Sequence, residues 1–135
     1  MDWKLELVVV PVADLDAAKA YYLDTVGFEL IVDFQAGPDF RVLQVKPPGS
    51  RCAINLALNP DAAGTVQGLH VVVDDIERAR TELVERGAGP GALIHFVEGR
   101  PEEGPDPERG DYNSFFELRD PDGNGWMIQE VGHRA

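Results

Sequence analysis

A mixed α+β fold of two tandem βαβββ modules is predicted by three features of this chain. The phrase Val10-Pro11-Val12-Ala13-Asp14-Leu15-Asp16-Ala17-Ala18-Lys19 returns 61 positions later as Val71-Val72-Val73-Asp74-Asp75-Ile76-Glu77-Arg78-Ala79-Arg80, an offset close to half of the 135 residues. Both copies read as a buried strand, an aspartate able to cap a helix, and an amphipathic helix. Each is followed by three further β-rich runs set apart by glycine and proline turns. A repeat of this length is a duplicated supersecondary unit, and two half-modules that cannot bury their own faces must meet. Ligand sites favour such seams.

The first module spans residues 1–58. Lys4–Val12 is a near-continuous apolar run, read as a strand covered on both faces. Asp14 is the N-cap of a helix whose apolar positions Leu15, Ala18, Tyr22 and Val26 recur at helical spacing, with Gly27 closing it. Phe28–Phe34, Phe40–Val45 and Cys52–Leu58 follow as strands, divided by Gly37-Pro38-Asp39 and Pro47-Pro48-Gly49-Ser50. Residues 59–68 are a linker containing Pro, Ala and Gly.

The second module spans residues 69–132. Leu69–Val73 is its first strand. Asp75 caps a helix carrying Ile76, Ala79, Leu83 and Val84, ended by Gly87. Ala92–Val97 is a strand, and Gly99–Tyr112, with three prolines and no apolar residue before Tyr112, is a long surface loop able to act as a lid. Ser114–Arg119 and Trp126–Val131 are the closing strands, joined by the turn Asp120-Pro121-Asp122-Gly123-Asn124-Gly125. Trp126 shares a face with Ile128 and Glu130, opposite Met127, and is expected to pack under a helix or at an interface.

Composition narrows function. One domain of this size buries roughly two-thirds of its unfolded surface, and 44% apolar with 27% charged residues predicts a soluble globular protein. No apolar run approaches the roughly 18 residues of a membrane span, and Met1-Asp2-Trp3-Lys4 does not open a secretory leader, so a cytoplasmic location is expected. Twelve Lys+Arg against 24 Asp+Glu give −12. That balance disfavours phosphate-backbone binding and anionic membrane surfaces, and it would attract a cationic ligand. The single cysteine, Cys52, allows no intrachain disulfide and is read as a buried, inert thiol. Nucleotide-binding glycine loops, a Gly-x-Ser-x-Gly elbow and His-Glu-x-x-His are absent. Glu102-Glu103 is read as solvated charge, and Tyr21-Tyr22 and Phe115-Phe116 as core and cavity wall.

The duplicated Val-x-Asp-Leu/Ile-acidic phrase, Ala18-Lys19-Ala20-Tyr21-Tyr22 with Val26-Gly27-Phe28, and Asp120-Pro121-Asp122-Gly123-Asn124, taken in order, resemble the vicinal oxygen chelate superfamily. That superfamily includes glyoxalase I, bleomycin- and fosfomycin-resistance proteins and extradiol dioxygenases. The resemblance covers nearly the whole chain. It implies that each module curls into a half-cup and that the two form a cupped, mixed-sheet cavity, in which enzymatic members hold a divalent metal on His, Glu or Gln.

Carried over position by position, the implied metal ligands are Leu7, Asn55, Gly68 and Met127. Leucine and glycine offer no donor, asparagine is feeble, and a thioether suits soft copper. His70 shares the strand face of Gly68, and Gln129 that of Met127, while Glu130 points away. An ordinary catalytic zinc site needs about three ligands, so no metal and no cofactor are expected. His70 reads as a pocket or core histidine with a satisfied hydrogen bond. His95 and Glu117 lie on later strands whose register the sequence leaves open.

The resemblance then implies a metal-independent homodimer of the bleomycin-resistance type, binding or sequestering a small molecule, cationic drugs among the candidates, with Leu7, Asn55, His70, Met127 and Gln129. A glyoxalase- or dioxygenase-type lyase or isomerase with atypical metal ligands is the alternative, and an interaction module with a collapsed cavity a third. Metal content separates the second from the others, and ligand-induced thermal shift the first from the third.

Overall fold

Asp14 and Asp75 start the two helices as their sequence positions predict. The Asp14 carboxylate accepts the Ala17 amide at 3.0 Å, and the Asp75 carboxylate accepts that of Arg78 at 3.1 Å. These bonds satisfy amides that have no partner within the helix. The computed structural model describes residues 1–134, which divide into two compact units, Met1–Val66 with Asp120–Asn124, and Gln67–Arg119 with the residues after Asn124.

The first unit holds β1 (Leu7–Val12), α1 (Leu15–Ala20), β2 (Glu29–Gln35), β3 (Arg41–Lys46) and β4 (Ala53–Leu58). Its sheet runs β1-β4-β3-β2, with β1 and β4 parallel and the other pairs antiparallel. Val10, Val12, Leu43, Val45, Ile54 and Leu56 alternate onto one buried face, joined by Ala18 and Tyr22 of the helical segment.

Three expectations need correction here. The first strand begins at Leu7, because Met1–Glu6 finds no apolar cover and leaves Trp3 90% exposed. The helix does not run on to Val26 as α-helix: Tyr21–Val26 continues with π-helical turns, and Gly27 ends it at φ +90°, a left-handed value that suits glycine. Cys52 precedes β4 and is half-buried rather than buried.

The second unit holds β5 (Leu69–Val73), α2 (Ile76–Glu85), β6 (Ile94–Val97), β7 (Arg100–Glu103), β8 (Phe115–Arg119) and β9 (Gly125–Glu130). Its order, β5-β9-β8-β6-β7, matches that of the first unit with β7 added at the edge, and β5 and β9 again run parallel. Phe116, Leu118, Trp126 and Ile128 share the core with Ile76 and Leu83 of α2, so Trp126 packs as expected.

The supposed loop Gly99–Tyr112 is in part this extra strand, paired to β6 from Ile94↔Glu103 to Val97↔Arg100. Backbone pairing holds β7 there while all four of its side chains stay exposed. Glu102 and Glu103 are therefore solvated, as predicted, but on an edge strand. Among the described residues no helix is long and apolar enough to cross a membrane.

Candidate functional site

Strand alternation leaves one face of each sheet without the buried core. In the first unit Leu7, Val9 and Pro11 of β1 stand on that face, in register with Ala53, Asn55 and Ala57 of β4, and Gln44 of β3 adjoins Asn55. Leu7 and Asn55, both predicted site residues, thus share a face. Leu7 lies opposite Ala53, however, and the direct neighbour of Asn55 is Val9, which is 51% exposed.

In the second unit the register aligns His70, Met127 and Glu117 in one row and Val72, Gln129 and Phe115 in the next. His70, Met127 and Gln129 therefore share one face. His70 is exposed rather than set in a core, and its Nδ1 stands 2.6 Å from the Gly68 carbonyl oxygen. A carbonyl only accepts, so Nδ1 is the donor of this bond. Met127 and Glu117 border two small cavities of about 70 and 140 Å³, the first also lined by His70 and the second by Ile94 and Phe115. Phe115 meets Phe96 edge to face, with ring centroids 5.6 Å apart. Glu117 faces this row, whereas His95 turns into the core, 7% exposed, with Nδ1 2.9 Å from the Gly104 carbonyl oxygen.

The family's metal positions hold a hydrocarbon (Leu7), an amide (Asn55), no side chain (Gly68) and a thioether (Met127). This donor set does not fit the Zn, Ni, Mn or Fe(II) of such centres. Among the described residues one trio of potential ligands gathers within 4.8 Å, namely Asp75, Glu130 and His133, and none of them was a predicted site residue. Arg109 already occupies it: its Nη2 lies 2.6 Å from Glu130 and 3.8 Å from Asp75, and its Nη1 2.6 Å from Glu77. The trio is an ion-paired structural cluster.

A second buried polar cluster lies in the first unit, where the Asp120–Asn124 turn belongs. The Tyr22 hydroxyl donates to Asp120 at 2.8 Å, and the Asn124 amide donates to Asp120 at 2.8 Å and to the Pro11 carbonyl at 2.9 Å. Burial, and then the Asp120 charge, push the neighbouring Tyr21 phenol up to about 12. Sequence reading recognised this motif as a turn and missed its buried partners, since nothing local to residues 120–124 points to Tyr22.

The parallel first-to-last strand pairing and the shared strand order define a protein of two repeated βαβββ modules. The chain belongs to the Glyoxalase/Bleomycin resistance protein/Dioxygenase superfamily, whose sequence profile matches residues 4–128. Among solved structures it is similar to TnmS3, an antibiotic binding protein from Streptomyces sp. CB03234, at 30% identity over 96% of both chains and a TM-score of 0.73. It is also similar to a glyoxalase/bleomycin resistance protein from the same organism, at 32% identity over 91% of this chain and 96% of that one, with a TM-score of 0.69. Protein YetH of Bacillus subtilis (strain 168) is 24% identical over 126 residues, which cover 91% of this chain and 94% of that protein.

Proposed function

We propose that this chain is a metal-independent small-molecule-binding protein of the bleomycin-resistance type, which sequesters an organic, preferably cationic, ligand. The observation that carries this reading is the chemistry of the uncovered faces. Where metal-using relatives place His, Glu or Gln, this chain presents Leu7, Asn55, Gly68 and Met127, and the surrounding Val9, Val72, Ile94, Phe96 and Phe115 are apolar. Largely apolar faces with a few polar groups, Asn55 in the first unit and His70 and Gln129 in the second, suit an organic ligand. The antibiotic-binding relative and the net charge of −12 support the same reading. Charge of this sign steers cations more than it tightens their binding.

Elemental analysis of protein purified without chelators or a metal-binding tag is the decisive first test, with substoichiometric Zn, Ni, Mn and Fe expected. A panel of cationic aromatics should then raise the melting temperature more at low salt than at high salt. Shifts given only by anionic or neutral metabolites would refute sequestration of cations. The row His70–Met127–Glu117 favours one second reading, an enzyme with displaced ligands. Near-stoichiometric metal that disappears in His70→Ala would establish it.

A further inference from the structure

The ladder between β3 and β4 stops early. Their register runs Val45↔Ile54, Gln44↔Asn55, Leu43↔Leu56 and goes no further, although β3 continues back to Arg41 and β4 on to Leu58. The backbone direction of each residue follows from its neighbours. Ala53 donates to Glu6 and Asn59 donates to Val12, so odd-numbered residues of β4 turn toward β1 and even-numbered ones toward β3. Phe40 accepts from Ala36, so even-numbered residues of β3 turn toward β2 and odd-numbered ones toward β4. The next rung would join Arg41 to Leu58, and it is not formed. The N–H and C=O groups of both residues therefore open into the gap where the strands part.

That gap is a cavity of about 660 Å³, within the roughly 300–1,000 Å³ of drug-sized sites. Phe40 and Leu58, 57% and 61% exposed, form apolar lips, and Asn55 lines it further in. Its charged residues are Asp14, Asp16, Asp39 and Arg41. The Arg41 guanidinium is already engaged, held by both Asp33 oxygens at 2.9 and 3.0 Å and by Asp16 at 2.7 Å. Asp14 caps α1. Asp39 has no hydrogen bond or ion pair among the described residues and stands exposed at the rim.

We infer that this cleft binds an aromatic cation that also carries an amide. The amide takes the place of the missing rung between Arg41 and Leu58, the aromatic body lies against Phe40 and Leu58, and the ammonium faces Asp39 and Asp16. Backbone groups left without a strand partner would be met by a ligand carrying both a donor and an acceptor. The inference rests on the small-molecule reading above and assigns it a subsite in the first unit.

The probe is phenylalanine β-naphthylamide, with its N-acetyl derivative (no charge) and the β-naphthyl ester (no amide N–H) as comparisons, followed by fluorescence or calorimetry on the full chain. The amide cation should bind most tightly, and both comparison compounds more weakly. Phe40→Ala should weaken all three about fivefold. Asp39→Asn should weaken the two cations about threefold and leave the N-acetyl compound unchanged. Glu103→Gln on β7 removes the same unit of charge elsewhere and should change nothing. All three substituted side chains are exposed, and unchanged melting curves check that the fold survives. Equal probe affinity in wild type, Phe40→Ala and Asp39→Asn would overturn the cleft while leaving the general binding reading standing. Absence of binding up to about 1 mM would also overturn the cleft, and the metal analysis and ligand panel then decide the broader reading.

Discussion

Glu130 is fully buried and still a carboxylate. Arg109 holds it through Nε at 2.7 Å and Nη2 at 2.6 Å, and the amide of Ile76, the first residue of α2, donates to it at 2.9 Å. The bidentate guanidinium first, and then the Ile76 amide, keep its proton affinity below the ordinary value of 4.5 against the opposing cost of burial. Removing the cation leaves that charge buried and unpaired, so Arg109→Ala should cost about 3 kcal/mol in urea unfolding, more than Glu130→Gln, which removes the charge itself. The pH dependence follows from the same pair. The folded chain holds the Glu130 proton less tightly than the unfolded chain, so the stabilisation is complete above the ordinary carboxylate value and is lost as pH falls through the lower folded one. Urea midpoints taken from neutral pH down into the carboxylate range should fall steeply in the wild type and less steeply in Glu130→Gln. Equal slopes in the two proteins would mean that other carboxylates dominate acid unfolding.

At the scale of elements, caps and turns carry the local logic. Asp14→Ala and Asp75→Ala should each cost about 1 kcal/mol, readable as lowered thermal midpoints. Gly64 and Gly49 share a φ of +84°, but a methyl group on Gly64 would strike the Asp122 carbonyl, whereas on Gly49 it meets open space. Gly49→Ala should therefore cost only the left-handed backbone penalty of about 1 kcal/mol, and Gly64→Ala at least twice that. Equal losses would show that the turn yields. These features also mark what sequence could reveal. Capping aspartates, strand alternation and the duplicated phrase act over a few residues, so both helices and the uncovered faces were legible. The strand β7 was not, because Arg100-Pro101-Glu102-Glu103 has no apolar alternation and is held by backbone bonds alone. Register also stayed hidden: placing Leu7 opposite Ala53, and His70 and Glu117 on either side of Met127, depends on where each ladder begins. Pairs such as Tyr22 with Asp120 join residues 98 positions apart, and nothing in either local pattern announces the other.

At the scale of the whole molecule, the uncovered sheet faces call for a partner surface. Val9 of β1 and Phe34 of β2, both on the uncovered face of the first sheet, are 51% and 55% exposed, apolar surface of the kind a partner buries. We propose that a second copy covers it. Light scattering at micromolar concentration should then report twice 14.8 kDa, and Phe34→Glu should shift the mass toward the single chain. A monomeric wild type would remove this proposal. Monomeric behaviour with probe binding intact would show that the cleft between β3 and β4 works without a partner.

The Asp120–Asn124 turn has a consequence for dissecting the molecule. It belongs to the first unit, while the strands on either side of it, β8 and β9, belong to the second. Cutting the gene at the linker would yield a tidy half by sequence alignment and an incomplete one by chemistry. A fragment of residues 1–66 would keep the Tyr22 hydroxyl and the Pro11 carbonyl and lose the Asp120 and Asn124 groups that meet them. The repeat visible in the sequence is therefore not a pair of interchangeable parts. Shuffling of halves between homologues should succeed only when this five-residue turn travels with the first half.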